Sequence, residues 1–183
     1  MDDGVRYLQS LHIKNNTIRF ESPYYVGREW SDAHQKSILE KGDVLIVQTG
    51  DIGQSAVVTE EFVGCNCHAL IIVSPVHCEL DGRWLSWVLN SDYGIHSLLS
   101  IQTGALHPHL NCGNVKGLYL PLPKLQEQAQ IVEYIGSILE RFDRLAADAE
   151  HAIGLLKERR SALIAAAVTG QIDVRGMVEA QAA

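Results

Sequence analysis

The chain holds no apolar run approaching the roughly 18–20 residues that span a bilayer, and Met1-Asp2-Asp3-Gly4 is not the start of a secretory signal. Cytoplasmic residence without a membrane partner is therefore expected, with Cys65, Cys67, Cys78 and Cys112 as free thiols. A basic excess is also lacking: 15 Lys and Arg face 22 Asp and Glu, for a formal net charge of −7. Proteins that bind nucleic acid unaided usually carry a cationic surplus, so either none is bound or a partner supplies much of the neutralising charge. Catalytic patterns are missing as well. No Gly-x-Ser-x-Gly elbow occurs, and Gly50-Asp51-Ile52-Gly53-Gln54 lacks the spacing and the following Lys-Ser/Thr of a phosphate cradle. Cys65, Cys67, His68, His77, Cys78, His107, His109 and Cys112 have ligand chemistry, but no Cys-x-x-Cys or His-x-x-x-His pair, so no metal site is expected. The adjacent carboxylates Glu60 and Glu61 read as solvated surface. The chain reads as non-enzymatic, with no cofactor of its own.

What the sequence does have is one very long helix. Leu120-Pro121-Leu122-Pro123 cannot be helical, because each proline lacks an N–H and pushes its predecessor toward extended geometry. From about Glu127 to Val168 there is no proline and only Gly136 and Gly154 among the glycines. Ile135, Phe142, Ala149, Leu156 and Leu163 form one row; Ile131, Ile138, Leu145, Ala152, Arg159 and Ala166 form the other. The rows fill the a and d places of a heptad, broken only by Arg159, whose stem can lie along a seam. At 1.5 Å per residue this is a rod on the order of 60 Å. No second helix of comparable length exists in the chain to cover it, so the seam predicts a partner.

Before the helix, the pattern predicts a mixed α+β domain. Val5 to Ile13 reads as a strand, Lys14-Asn15-Asn16 as a turn and Thr17 to Phe20 as the return strand. Ser31 to Leu39 reads as a short helix with Ser31 as N-cap and Gly42 supplying a C-cap. Asp43–Thr49, Ser55–Val58 and Ala69–Val73 read as core strands. Asp81–Ser100 reads as helical, with Trp84, Leu85 and Val88 facing the core and a break at Gly94. The expected division is a domain over 1–120, the long helix with its entrance over 121–175, and a frayed tail over 176–183.

Leu118-Tyr119-Leu120-Pro121-Leu122-Pro123-Lys124-Leu125-Gln126-Glu127-Gln128-Ala129-Gln130-Ile131-Val132 resembles the "IPLPPLxEQxxIV" signature of the DNA-specificity subunits of type I restriction–modification systems. Lys41 to Ile46 is similar to that family's "kkGDiLi" strand, Thr103 to Asn111 to its "G-x-x-q-p-n-l" loop, and Leu156 to Asp173 to its usual ending. The resemblance implies a target-recognition domain followed by one long spacer helix. A complete subunit has two of each, and its recognition domain usually begins with a further segment, so a half or truncated subunit is expected. It further implies binding to double-stranded DNA and docking of a modification subunit that carries the S-adenosylmethionine and the adenine methyl transfer. A motor-nuclease subunit completes such systems. The helix would then pair with another specificity half or with a second copy. Base-reading chemistry in loops singles out Lys14, Asn15, Asn16, Gln48, Thr49, Gln54, Thr103, His107, His109, Asn111 and Lys116. The rival class is a coiled-coil interaction module that binds protein rather than DNA.

Overall fold

Strand β5 (Val44–Val47) is buried at every position, and its side chains alternate between two cores. Leu45 and Val47 pack with Leu8, Ile13, Leu39, Ala56, Val58, Phe62, Cys65 and Cys67. Val44 and Ile46 pack with Ile71, Leu85, Leu89, Leu98 and Leu110. A strand covered on both faces needs a continuous apolar run rather than an alternating one, which is what Val-Leu-Ile-Val supplies. β6 (Ser55–Val57) and β8 (Leu70–Val73) flank β5, both antiparallel.

The computed structural model describes residues 4–175. The expectations for Met1 to Asp3 and for a tail at 176–183 lie outside them. A second sheet joins β4 (Tyr25–Val26), β1 (Val5–Leu8) and β7 (Asn66–Cys67), with β1 antiparallel to β4 and parallel to β7. β2 (Ile13–Lys14) and β3 (Thr17–Ile18) form a small hairpin. The helices are α1 (Arg28–Ala33), α2 (Gly82–Asn90), α3 (Asp92–Ser100), α4 (Cys112–Val115) and α5 (Leu125–Val168). The architecture is α+β with a long C-terminal helix, as expected.

Three local expectations are corrected. The strand expected over Val5–Ile13 stops at Leu8, because Ser10–His12 forms a 3₁₀ turn in which the Gln9 N–H donates to His12 Nδ1 at 2.9 Å. The helix expected from Ser31 begins instead at Arg28 after Gly27, and the buried Ser31 donates its N–H to Gly27 within it. That helix ends at Ala33, well before Gly42, whose φ of +88° serves a turn into β5 rather than a cap. The expected break at Gly94 falls at Ser91, which closes α2 and caps α3 by accepting the Gly94 N–H at 3.2 Å. Gly94 serves close packing, since a Cβ there would collide with the Val88 carbonyl.

Two units divide the chain, one ending at Glu133 and the other beginning at Tyr134, and α5 runs through the division. In the first unit Gln128 and Val132, on the opening turns of α5, are buried. In the second, α5 ends in a Schellman motif: Gly170 adopts φ +73°, Gln171 N donates to Ala166 O at 2.8 Å and Gly170 N to Ala167 O at 3.2 Å. No helix among the described residues is long and apolar enough to cross a membrane.

Candidate nucleic-acid interface

The β2–β3 turn is built from Asn15 and Asn16 at φ +50° and +62°, the pair of left-handed residues a tight hairpin demands and asparagine tolerates. This tip rests on the loop between β5 and β6, where the Asn15 N–H donates to Gln54 Oε1 at 3.1 Å. Asn16 points the other way. Its Oδ1 accepts from Ser86 Oγ and from Asn90 Nδ2, tying the hairpin to α2. Lys14 is exposed beside them.

A second loop arrives at the same end of the sheet. Leu110, fully buried, donates its N–H to Gln48 O at 3.0 Å just past the end of β5. Upstream of it, Thr103 and His109 exchange backbone hydrogen bonds of 2.8 and 2.9 Å and so close the loop 103–109 into a miniature hairpin. The His109 ring is a strut in that loop, with Nε2 3.2 Å from Thr103 Oγ1 and Nδ1 3.3 Å from His107 O. Leu106 and His107 stand exposed at its tip. Asn111 caps α4 by accepting the Asn114 N–H at 2.8 Å, and Lys116 is exposed as that helix ends.

The structure thus brings Lys14, Asn15, Asn16, Gln48, Thr49, Gln54, Thr103, His107 and His109 to one end of the β6-β5-β8 sheet, with Asn111 immediately behind. Within that set the side chains divide. Asn16, Gln54, Thr103, His109 and Asn111 hold the loops in place. Lys14, Asn15, Gln48, Thr49, His107 and Lys116 make no side-chain hydrogen bond among the described residues, and all but the half-buried Gln48 are exposed. These are the groups left with donors and acceptors to offer.

The surface also carries a cluster that residue patterns did not indicate. Trp30 stacks on His34 at 3.8 Å and meets Tyr7 edge-on at 5.4 Å, and Tyr7 lies parallel to His68. Its members come from β1, α1 and the end of β7, so no local signal in the sequence links them.

Where the chain turns into α5, a groove of about 880 Å³ is lined by Lys41, Gly42, His77, Leu80, Gly82 and Leu125, among others. Both of its carboxylates are paired: Glu60 with Lys41 at 2.9 Å and Asp81 with Arg83 at 2.7 Å. Burial pushes the Asp81 carboxyl up, but the hydrogen bonds and charge of Arg83 outweigh it and leave the group below its ordinary range. A paired, ionised carboxylate is a poor general acid. Among the described residues no group of three or more His, Cys, Asp and Glu is placed to hold a metal ion.

The family described as the type I restriction modification DNA specificity domain matches residues 4–154. The chain is 20% identical over 177 residues to the EcoBI type I restriction enzyme specificity subunit of Escherichia coli, covering 97% of this chain and 37% of that protein. It is similar in fold to the HsdS subunit of Thermoanaerobacter tengcongensis, with a TM-score of 0.64, 24% identity, and coverage of 83% of this chain and 40% of that one. A chain from a structure describing complex assembly and conformational transition of the type I R-M system also gives a TM-score of 0.64, at 20% identity over 90% of this chain and 38% of that one. The chain therefore spans less than half the length of the relatives it matches. With the model of the family covering most of its length, the chain belongs to the type I restriction modification DNA specificity domain family.

Proposed function

We propose that this chain recognises a specific sequence in double-stranded DNA and catalyses nothing itself, as the specificity component of a cytoplasmic type I restriction–modification assembly. The observation that carries the reading is the convergence of two pre-shaped loops, 14–16 and 103–109, beside the end of β5. Each loop is braced by its own neighbours, so the free side chains are held ready and little ordering entropy remains to be lost on binding. Lys14 suits a guanine edge or a phosphate, Asn15 and Gln48 suit adenine, and Thr49 and His107 add adaptable hydrogen bonds. The exposed Lys116 has the charge to neutralise a phosphate.

The acidity fits a division of labour. A modification subunit docks on the chain, binds S-adenosylmethionine, transfers the methyl group to adenine and helps to clamp the DNA backbone. A motor-nuclease subunit joins where the system restricts. The seam of α5, from Ile131 through Leu163, pairs with another specificity half or a second copy. Family membership weighs against the rival reading, an interaction module indifferent to DNA.

The test is selection from a random duplex library by the chain together with its modification subunit, repeated at two salt concentrations. Enrichment of one sequence, with affinity falling as salt rises, supports the reading. Binding with no sequence preference, or no binding at all with the partner present, overturns it.

A further inference from the structure

Between β7 and β8 the chain turns a corner at the end of the sheet where the candidate reading loops gather. His68 follows β7 and donates its N–H to Leu8 O at 2.9 Å. Ala69 then takes φ +56°, a conformation that alanine, unlike glycine, adopts only at a cost, and β8 begins at Leu70. The corner is tied to the end of β5. Gln48 donates its N–H to Ala69 O at 3.3 Å, while Gln48 O accepts the N–H of Leu110 at 3.0 Å. Because β8 runs antiparallel to β5, with Leu70 opposite Val47, His68 lies at the same end of the sheet as Gln48 and Thr49.

The His68 side chain is exposed and makes no hydrogen bond among the described residues. On one side it is flanked by a row of rings. Tyr7 lies 6.2 Å away and within 20° of parallel, Trp30 meets Tyr7 edge-on, and His34 stacks on Trp30. The row backs the imidazole and leaves its ring nitrogens unclaimed. We propose that His68 is a further base-reading residue of the DNA surface, donating a ring N–H to N7 of a purine in the major groove. The inference rests on the reading of this chain as a DNA-recognition component, and adds to it a residue and a base class.

The choice of N7 follows from the donor. An imidazole carries at least one N–H in either protonation state. Adenine and guanine both present N7 as an acceptor in the major groove, whereas cytosine shows a donor and thymine a methyl group beside O4. One directed donor therefore separates purine from pyrimidine without separating adenine from guanine.

The choice of a base over a phosphate follows from the ring's restraint. A long flexible cation serves a phosphate from many directions, but base reading needs a donor held in one direction. A ring backed by Tyr7 has less freedom to lose on binding. The choice of DNA over a protein surface follows from continuity, since one row of backbone hydrogen bonds joins the corner at Ala69 to Gln48 and on to Leu110.

The experiment compares wild type, H68A and H68Q, each as the full chain with its modification subunit, in selection from random duplexes. Wild type should select a purine of either kind at one position. H68A should accept all four bases there, keep the rest of the selected sequence, melt with wild type and bind the selected duplex about tenfold more weakly. H68Q should narrow the same position to adenine, because an amide pairs with N6 and N7 together. A duplex carrying 7-deazaadenine or 7-deazaguanine at that position should weaken wild type about tenfold and leave H68A unaffected. An H68A selection identical to wild type overturns the proposal. So does an equal loss of affinity across all sequences, which would put His68 on a phosphate. Unchanged DNA selection with weaker binding of the modification subunit alone would assign the ring face to protein, and overturns it too. The two readings fail separately: if wild type selects no sequence, DNA recognition falls and His68 with it, whereas selection that ignores H68A removes only the assignment of His68.

Discussion

Gln128 Oε1 accepts the backbone N–H of Asp81 at 2.8 Å, at the first turns of α5 and directly before α2. The same side chain donates from Nε2 to Glu79 O and to Pro123 O, both at 2.9 Å, and it is wholly buried. One amide thus satisfies three backbone groups that the proline-marked entrance and the start of α2 would otherwise leave unpaired. Q128L should cost about 2–4 kcal/mol, since it strands a buried donor and two acceptors. Q128E should do little better, because a carboxylate accepts from Asp81 but cannot donate to the two carbonyls. Urea unfolding monitored by circular dichroism reads both. A loss under about 0.5 kcal/mol for Q128L would show that the contact is not formed in solution.

Asn16 offers a test in which two principles oppose one another. Hairpin preferences favour Asn-Gly at a tight turn, and Gly accepts a φ of +62° freely, so turn chemistry alone expects N16G to stabilise. The side chain, however, binds Ser86 and Asn90 in a half-buried setting. We expect the lost hydrogen bonds to decide the sign, with N16G destabilising by about 1 kcal/mol and N16A by about 2, the difference being backbone strain. Thermal melts of the three proteins measure this ordering, and an N16G more stable than wild type would refute it.

The elements the sequence announces are those whose cause is local or periodic. β5 is readable because a strand buried on both faces must be apolar throughout, and α5 because its heptads run on from a proline-marked start. The misplaced boundaries have distant causes. His12 ends β1 early by turning its ring back to Gln9 and reaching Ser22 O at 2.8 Å. α1 begins before Ser31 and brings Trp30 against Tyr7. Gly94 looks like a helix breaker but is a contact point. Of the candidate interface, residue chemistry alone singled out loops that the fold brings to one end of the β6-β5-β8 sheet. It could not tell a reader from a strut, because that distinction depends on bonds such as Asn15 to Gln54 and Gln48 to Leu110 between segments far apart in the chain.

That distinction separates His107 from His109. The His107 ring is free at the loop tip, whereas both ring nitrogens of His109 are engaged within the loop. We expect H107A to leave the melting temperature unchanged and to weaken DNA binding by roughly tenfold, the worth of a modest base or phosphate contact. H109A should lower the melting temperature by a few degrees and weaken binding through a loosened loop. Fluorescence anisotropy on a selected duplex, with melts alongside, checks both. The assignment fails if H109A alone affects binding while its melt is unchanged.

Cys67 makes the chain's response to alkali specific. Burial, with a smaller push from the charge of Asp43, raises its thiol to about 12. An unfolded thiol ionises near about 8.5, so the native state holds a proton that the unfolded state releases. The resulting stability is fully present below about pH 8.5 and is lost as pH rises toward about 12. The slope in that window is about 1 kcal/mol per pH unit, superimposed on the titration of other groups. C67A removes this contribution, so wild-type and variant urea midpoints should approach one another between pH 8 and pH 10.5. Burial also raises Cys65, which should remain unreactive with Cys67 toward a thiol reagent at neutral pH. The exposed Cys78 and Cys112 should react at once. Rapid modification of all four thiols in the native chain would contradict the packing of the core around Cys65 and Cys67.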